Sequence, residues 1–430
     1  MLKLNGTTKT FTPKGVGSFF PERAAKKKRV EEIILSVFSR WGFKEIVTPG
    51  FEFLDALSPA LDENIADKAY KFVDRGTGRI LALRPDITAQ IARIAAASLA
   101  EKPKPMRLCY NANVFRYEEE HAGRQQEIFQ VGGELIGIDL PESDAEMVAI
   151  AVESLKEIGL NDFEITMGQI GFFKGMLKEI CLDSQTYLRV KDAFSKKEML
   201  RVEELLSGIS KTQRDKLLKI ADLFGKEDIL DKAEAIADNK ESKKAVQNIR
   251  DVYRKLKLYG LEKYILIDLA EVRGFDYYTG ILFEVFVKGI GYEIGSGGRY
   301  DGLLAKFGFD CPSTGFALDV ERLLAAIDAQ GIELKTDVVN ILLIDFNKDK
   351  SAAIKLAKAL RDKGCNVARD IIKRDLNSSL DYAKEWGIQK AVVFGIKDLK
   401  MDEALIIDIK TSEKKKININ QLLEAALWRP

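Results

Sequence analysis

The densest polar chemistry in an otherwise apolar stretch lies in Glu127 to Ile136. A period of two puts Ile128, Gln130, Gly132, Glu134 and Ile136 on one face of a strand, and Phe129, Val131, Gly133 and Leu135 on the other. Two long polar side chains thus flank a glycine. The space above Gly132 suits a ligand, with Gln130 and Glu134 as hydrogen-bonding walls, although an edge strand with one solvated face has the same pattern. Upstream, Val114-Phe115-Arg116 ends a strand and the polar run Tyr117 to Gln126 leads into Glu127, which places Arg116 beside Gln130 and Glu134. A guanidinium there binds two oxygens of a carboxylate or phosphate, or pairs with a neighbouring glutamate. Asp86 and Thr88 stand just before the helical stretch Ala89 to Ala97, where they either cap the helix or meet an ammonium. Arg273 to Gly280 sets a cation, an anion and two tyrosines, Tyr277 and Tyr278, between glycines. This is a lid for a planar ligand or a tight turn with packed aromatics. Gly295 to Gly302 follows a strand as a phosphate cradle does, but Tyr300 stands where the third glycine of G-x-G-x-x-G belongs and no Gly-Lys-Ser/Thr ending follows. Close backbone packing around a pocket is the better reading.

Composition narrows the chemistry. The 430 residues are 46% hydrophobic and 31% charged, an ordinary globular balance, and 67 Lys and Arg against 66 Asp and Glu leave a net charge of +1. A surface devoted to phosphate backbones needs a basic excess that this chain lacks. Cys109, Cys181, Cys311 and Cys365 stand singly, so neither a zinc knuckle nor a redox pair is written, and buried thiols in a reducing cytoplasm are expected. His121 is the lone histidine, which sets aside triad hydrolases and histidine metal clusters, and no metal or cofactor is expected. Met1 to Lys14 is polar and the apolar runs are too short to cross a bilayer, so a cytoplasmic location without membrane contact is expected.

The elements that must position these residues fall into three regions. Val30, Ile33, Ile34, Val37, Phe38 and Trp41 form one helical stripe from Pro21, stopped by Gly42. Short strands are predicted at Phe43 to Val47, Ile80 to Leu83, Arg107 to Arg116, Glu127 to Ile136, Phe163 to Met167, Ile265 to Leu269 and Ile281 to Val287, as in an antiparallel sheet with helices packed on it. From about Gly171 to Gly260 the sequence turns Lys- and Glu-rich with helical spacing, which reads as a helical insertion. From Asp337 strands and helices alternate: Val338 to Asp345, Ser351 to Lys363, Asn366 to Asp370, Leu376 to Trp386 and Lys390 to Phe394. That order predicts a small α/β domain with a parallel sheet. It is mildly basic, with 18 Lys and Arg against 14 Asp and Glu.

Six segments, in order, carry a resemblance: Arg84-Pro85-Asp86-Ile87-Thr88, Phe115-Arg116-Tyr117-Glu118, Gly123-Arg124 to Gln130, Arg273 to Thr279, Gly297 to Gly302, and Gly315-Phe316-Ala317 to Glu321-Arg322. Together they resemble the histidyl-tRNA synthetase superfamily. The resemblance implies an α+β fold: a class II aminoacyl-tRNA synthetase-like antiparallel sheet with helices over residues 1–330, with the helical insertion at about 171–260. Residues 331–430 would form an anticodon-binding-like α/β domain. Pro49, Arg116 and Arg322 fall in segments that resemble the three class II motifs.

Two families share that framework, the synthetase and the regulatory subunit of ATP phosphoribosyltransferase. Three departures favour the regulatory family: Asp86-Ile87 replaces the synthetase's Glu-Gly, Gln126 replaces an arginine, and Asp319 stands where the synthetase keeps a glycine next to the nucleotide. One charge at about 4 Å is worth roughly 1 kcal/mol in water and about 4 kcal/mol at an effective dielectric near 20, so two such changes weaken a triphosphate site severely. The residues that resemble the synthetase's histidine-binding set persist: Asp86, Thr88, Arg116, Gln130, Glu134, Arg273, Tyr277 and Tyr278. The resemblance thus implies a non-catalytic regulatory subunit in histidine biosynthesis with histidine as its effector and no catalytic residue of its own. Glu134 or Gln130 would take the imidazole, Arg116 the carboxylate, and Asp86 with Thr88 the ammonium. Its expected partners are the short-form catalytic subunit and a second copy of itself, within a hetero-octamer, and not tRNA. An active histidyl-tRNA synthetase is the alternative, since Arg116, Arg273 and Arg322 all survive; a synthetase-like enzyme for another substrate is a third.

Overall fold

The computed structural model describes residues 12–13, 15–118, 125–180, 182–272, 277–334, 340–400 and 402–422. Two compact units divide the chain, Met1–Glu333 and Leu334–Pro430.

The first unit opens with α1 (Pro21–Arg40), β1 (Lys44–Glu45), β2 (Phe51–Phe53), α2 (Leu54–Leu57), α3 (Glu63–Asp67), β3 (Lys71–Val73), β4 (Ile80–Leu83) and α4 (Ile87–Ser98). It continues through β5 (Met106–Phe115), β6 (Glu127–Ile136), α5 (Pro141–Ile158) and β7 (Phe163–Gln169). Six helices follow, α6 (Ile170–Lys178), α7 (Ser184–Ser195), α8 (Met199–Leu205), α9 (Lys211–Ile220), α10 (Asp228–Ile236) and α11 (Lys240–Leu258), with the two-residue strand β8 (Phe224–Gly225) among them. The chain then returns to the sheet as β9 (Ile265–Asp268), β10 (Ile281–Val287), β11 (Glu293–Arg299) and β12 (Ser313–Asp319), and closes on α12 (Val320–Ala329).

Nine of these strands form one sheet in the order β1-β5-β6-β12-β11-β10-β7-β9-β8. All pairs are antiparallel except β1 with β5 and β7 with β9. The helices α1, α5 and α12 pack on one face. There Phe38 of α1 is fully buried and stacks on Phe316 of β12 at 5.5 Å, with its ring over Gly133. A Cβ on Gly133 would stand 2.4 Å from that ring, so the glycine is what lets the helix settle onto the sheet. The opposite face meets a second core, in which Ile87 and Ile91 of α4 pack with Tyr110, Val114, Tyr300, Leu303 and Leu304.

Period-two alternation holds where side chains are large, and the bounds of β6 and β10 coincide with the predicted strands. The Gly295 to Gly302 cradle does not follow a strand: Gly295, Gly297 and Gly298 lie inside β11. The missing side chains serve close packing, since a Cβ on Gly297 would meet the Gly315 carbonyl at 2.4 Å.

The second unit holds β13 (Asn340–Asp345), α13 (Ser351–Asp362), β14 (Asn366–Arg369), α14 (Leu376–Glu385), β15 (Lys390–Phe394), β16 (Glu403–Asp408), β17 (Lys414–Asn418) and α15 (Ile419–Leu422). Its sheet is not wholly parallel. The order β14-β13-β15-β16-β17 is parallel among the first three strands, and a hairpin of β16 and β17 adds antiparallel pairs. The last strand, β17, was hidden by its exposed Lys414, Lys415 and Lys416, whereas the apolar run Ala404 to Ile407 of β16 is a strand signal that went unread.

Phe38→Ala is expected to lower stability by about 3–5 kcal/mol, the cost of a large core void, read as a shift in the chemical denaturation midpoint of the first unit.

Candidate functional site

The register of the large sheet builds a floor of small residues on the face away from α1, α5 and α12. Gly132 of β6 pairs with Ala317 of β12, which pairs with Ser296 of β11; one row along, Glu134 pairs with Gly315, which pairs with Gly298. Ser296 is exposed, so this floor reaches solvent. Longer side chains rise around it. Tyr110 stands opposite Gly132, while Gln130 lies between Ala112 and Asp319.

Glu134 is the centre of the site. It is 1% exposed, its Oε1 accepts a hydrogen bond from Thr88 Oγ1 at 2.8 Å, and its Oε2 accepts one from the Tyr300 hydroxyl. A Cβ at Gly315 would lie 1.7 Å from Oε2, so glycine there is a condition of the carboxylate's placement. Burial pushes the Glu134 carboxyl up to about 8, against the Tyr300 and Thr88 hydroxyls, which favour its charged form. Burial likewise raises Tyr110, Tyr277 and Tyr300 well above the ordinary tyrosine value, with the Glu134 carboxylate adding to each shift.

Asp86 does two jobs. Its Oδ1 caps α4 by accepting the Ala89 amide at 2.8 Å, and its Oδ2 stands 3.5 Å from Arg116 Nη2. Arg116 also donates through Nε to the Pro85 carbonyl at 2.7 Å. The cap that sequence alone left as an alternative is real, and it leaves one oxygen free for a cation. Arg84 fixes this corner by donating to Asn113 Oδ1 at 2.6 Å and to the Thr48 carbonyl at 3.1 Å.

Tyr277 and Tyr278 meet edge to face at 5.1 Å, and Tyr277 lies 5.5 Å from Tyr300. The ring of Tyr278 sits against Gly298, where a Cβ would come within 2.8 Å of its Cδ1. Asp86, Thr88, Glu134, Tyr277 and Tyr278 therefore gather around the Glu134 end of the floor, Arg116 reaches them through Asp86, and Gln130 shares the floor one row beyond Gly132. Arg273, like Gly123, Arg124 and His121, lies outside the described residues.

Two sequence expectations are corrected. Phe115 pairs with Glu127 and Ala112 with Gln130, so the backbone of Arg116 lies some four residues, roughly 13 Å, from the level of Gln130, and it joins the site through Pro85 and Asp86 instead. The space directly above Gly132 is taken by Tyr110, whose hydroxyl would be 2.7 Å from a Cβ at that position. The missed residues are Tyr110, Tyr300 and Gly315. Tyr300 was within reach, because period two from Ser296 and Gly298 brings it to the same face.

On the far side of Gln130 the chemistry changes. Asp319 caps α12 by accepting the amides of Glu321 at 3.0 Å and Arg322 at 3.1 Å. Its other oxygen takes Arg322 Nε at 3.2 Å, and Arg322 Nη1 meets Glu293 Oε1 at 2.8 Å. The guanidinium is thus held by two carboxylates of its own chain. Gln126 accepts a hydrogen bond from the Tyr70 hydroxyl. Among the described residues no cluster of three or more His, Cys, Asp or Glu could hold a metal, and no helix is long and apolar enough to cross a membrane.

A family model described as histidyl-tRNA synthetase matches residues 15–323, and one described as an anticodon binding domain matches residues 338–427. The fold is shared with the solved histidyl-tRNA synthetase of Nostoc sp. PCC 7120, with a TM-score of 0.83 at 23% identity over 96% of this chain and 98% of that one. The fold is thus of the class II synthetase type. A Bacillus halodurans structure titled ATP phosphoribosyltransferase regulatory subunit/histidyl-tRNA synthetase gives a TM-score of 0.80 at 28% identity, over 91% of this chain and all of that one. ATP phosphoribosyltransferase regulatory subunits of Geobacter sulfurreducens and Acetivibrio thermocellus are 40% and 36% identical, covering 94% and 97% of this chain and 93% and 99% of theirs. The chain belongs to the histidyl-tRNA synthetase-like family of ATP phosphoribosyltransferase regulatory subunits.

The raised Glu134 carboxyl has a consequence for stability. Between about 4.5 and 8 the folded protein holds a proton that the unfolded chain has released, so rising pH removes stability through this group. Glu134→Gln escapes that loss. The melting temperature of the variant relative to wild type is expected to climb from pH 5 to pH 9; a flat or falling difference refutes the assignment.

Proposed function

We propose that this chain is a regulatory subunit that assembles with a short-form ATP phosphoribosyltransferase catalytic subunit, is required for its activity, and carries a histidine effector site on the floor described above. In the site, Arg116 takes the ligand carboxylate, Asp86 and Thr88 the ammonium, and Glu134 with Gln130 and the tyrosine pair the imidazole, Arg273 completing the set. The observation that carries a regulatory rather than a ligase reading is the state of Arg322. This residue resembles the third-motif arginine of a synthetase, yet Asp319 and Glu293 occupy its donors and surround it with negative charge. A triphosphate would have to displace two carboxylates to reach it and would then face them. The amino-acid half, in contrast, offers an ion pair whose two members match the two charges of a zwitterion.

Assembly as a homodimer is supported by the small sheet β2-β4-β3, which leaves the pair Val73 and Ile80 exposed on one face and Phe51 and Phe72, in ring contact, exposed on the other. A cytoplasmic setting follows from the biosynthetic role.

Pyrophosphate exchange with histidine and ATP is expected to stay at background, and mixing with the catalytic subunit is expected to switch on phosphoribosyl transfer that histidine then inhibits; robust exchange, or no gain on mixing, rejects the reading. Arg116→Ala is expected to weaken histidine binding by about 2 kcal/mol, roughly 30-fold, in calorimetry. Val73→Glu with Ile80→Glu is expected to lower the sedimenting mass of the free chain by half.

A further inference from the structure

Arg299 sits at the end of β11 with its side chain on the face opposite the floor, because alternation sends Tyr300 the other way. The residue is 5% exposed and its guanidinium makes four polar contacts. Nε meets Asp144 Oδ2 at 3.0 Å, Nη2 donates to Ser143 Oγ at 2.6 Å, and Nη1 donates to the Ile138 carbonyl at 3.1 Å and to Asp301 Oδ1 at 3.0 Å. The first turn of α5 is thereby pinned to the strand end.

The backbone of the same residues holds the pocket walls. The Arg299 carbonyl accepts the Thr279 amide at 2.7 Å, directly after the tyrosine pair. The Asp301 amide donates to Thr279 Oγ1 at 2.9 Å, and Asp301 Oδ1 accepts the Ser313 amide at 3.0 Å. The Tyr300 amide donates to the Ser313 carbonyl at 2.8 Å. We propose that the Arg299–Asp144 pair is a positioning clamp: by tying the end of β11 to α5 it fixes Tyr300 on Glu134 and Thr279 under the tyrosine pair, and so sets the affinity of the pocket.

Stability alone does not explain the pair. Asp144 is 1% exposed, and burial pushes its carboxyl up to about 6 against Arg299 and the Thr314 hydroxyl, which favour its charged form. Burying two charges is a poor way to gain stability, and an apolar pair of equal volume does as well. What the planar fork adds is direction, since four contacts along fixed vectors determine where the strand end lies.

The proposal rests on the pocket being an amino-acid site, and its test separates the two claims. In calorimetry on the full chain with L-histidine, Asp144→Asn is expected to weaken binding about tenfold, the scale of one hydrogen bond to a charged group. Tyr300→Phe removes the hydroxyl through which one arm of the clamp acts. In that background Asp144→Asn is expected to cost about threefold, what the Thr279 arm alone carries, because the two substitutions share one chain of contacts. Losses that multiply independently overturn the clamp. Ser143→Ala, which orphans no charge, is expected to give a smaller loss of the same kind and serves if Asp144→Asn does not fold. Hydrogen exchange over residues 296–303 needs no ligand and is expected to rise in Asp144→Asn; unchanged exchange also overturns the clamp. Wild type that takes no histidine refutes the pocket reading instead, and the exchange result still decides the clamp.

Discussion

The site depends on keeping one carboxylate, Glu134, out of water. A buried carboxylate is costly unless donors surround it, and here each oxygen has one, Thr88 on one side and Tyr300 on the other. Those donors come from distant parts of the chain, the first turn of α4 and the residue after β11, so the helix, the strand end and the central sheet must all be in register before the group is satisfied. The glycine opposite it is part of the same requirement, since any side chain at Gly315 would occupy the carboxylate's own volume. Burial raises this acid to about 8 against its two hydroxyl donors, so the group gains or loses its proton not far from neutral pH.

The two halves of the concavity have opposite electrostatic characters. At the Asp86 end, helix capping uses one carboxylate oxygen and leaves the other for Arg116, at a separation of 3.5 Å that a ligand's own charged groups can divide. At the Asp319 end, capping of α12 again uses one oxygen, but the other is spent on Arg322, with Glu293 closing from the far side at 2.8 Å. The same local device, an acidic N-cap, therefore leaves a cation reachable in one place and neutralises it in the other. The difference is the second carboxylate, Glu293, which closes on the guanidinium from the far side.

Much of this was legible in the residues, and the gaps have a physical cause. Large alternating side chains marked β6 and β10, and the capping role of Asp86 was among the readings its position allowed. The strands β11 and β12 were missed because the floor demands small residues: Gly295, Gly297, Gly298 and Gly315 are turn formers by propensity and become strand residues only because neighbouring backbone and Phe316 fill the space. Tyr110 was passed over because burial of a hydroxyl against a glycine on the next strand is a matter of register, which a single sequence does not state. The Arg299–Asp144 contact spans 155 positions and pairs two residue types common on any surface, so nothing local pointed to it.

An effector can act on a partner only through free energy that differs between two arrangements of the protein, typically about 1–3 kcal/mol. The donors and acceptors of this site are paired with one another. Arg116 rests on Asp86 and Pro85, and Thr88 and Tyr300 rest on Glu134. A ligand that used the same groups would exchange these contacts for its own, and any coupling would come from the difference between the two sets.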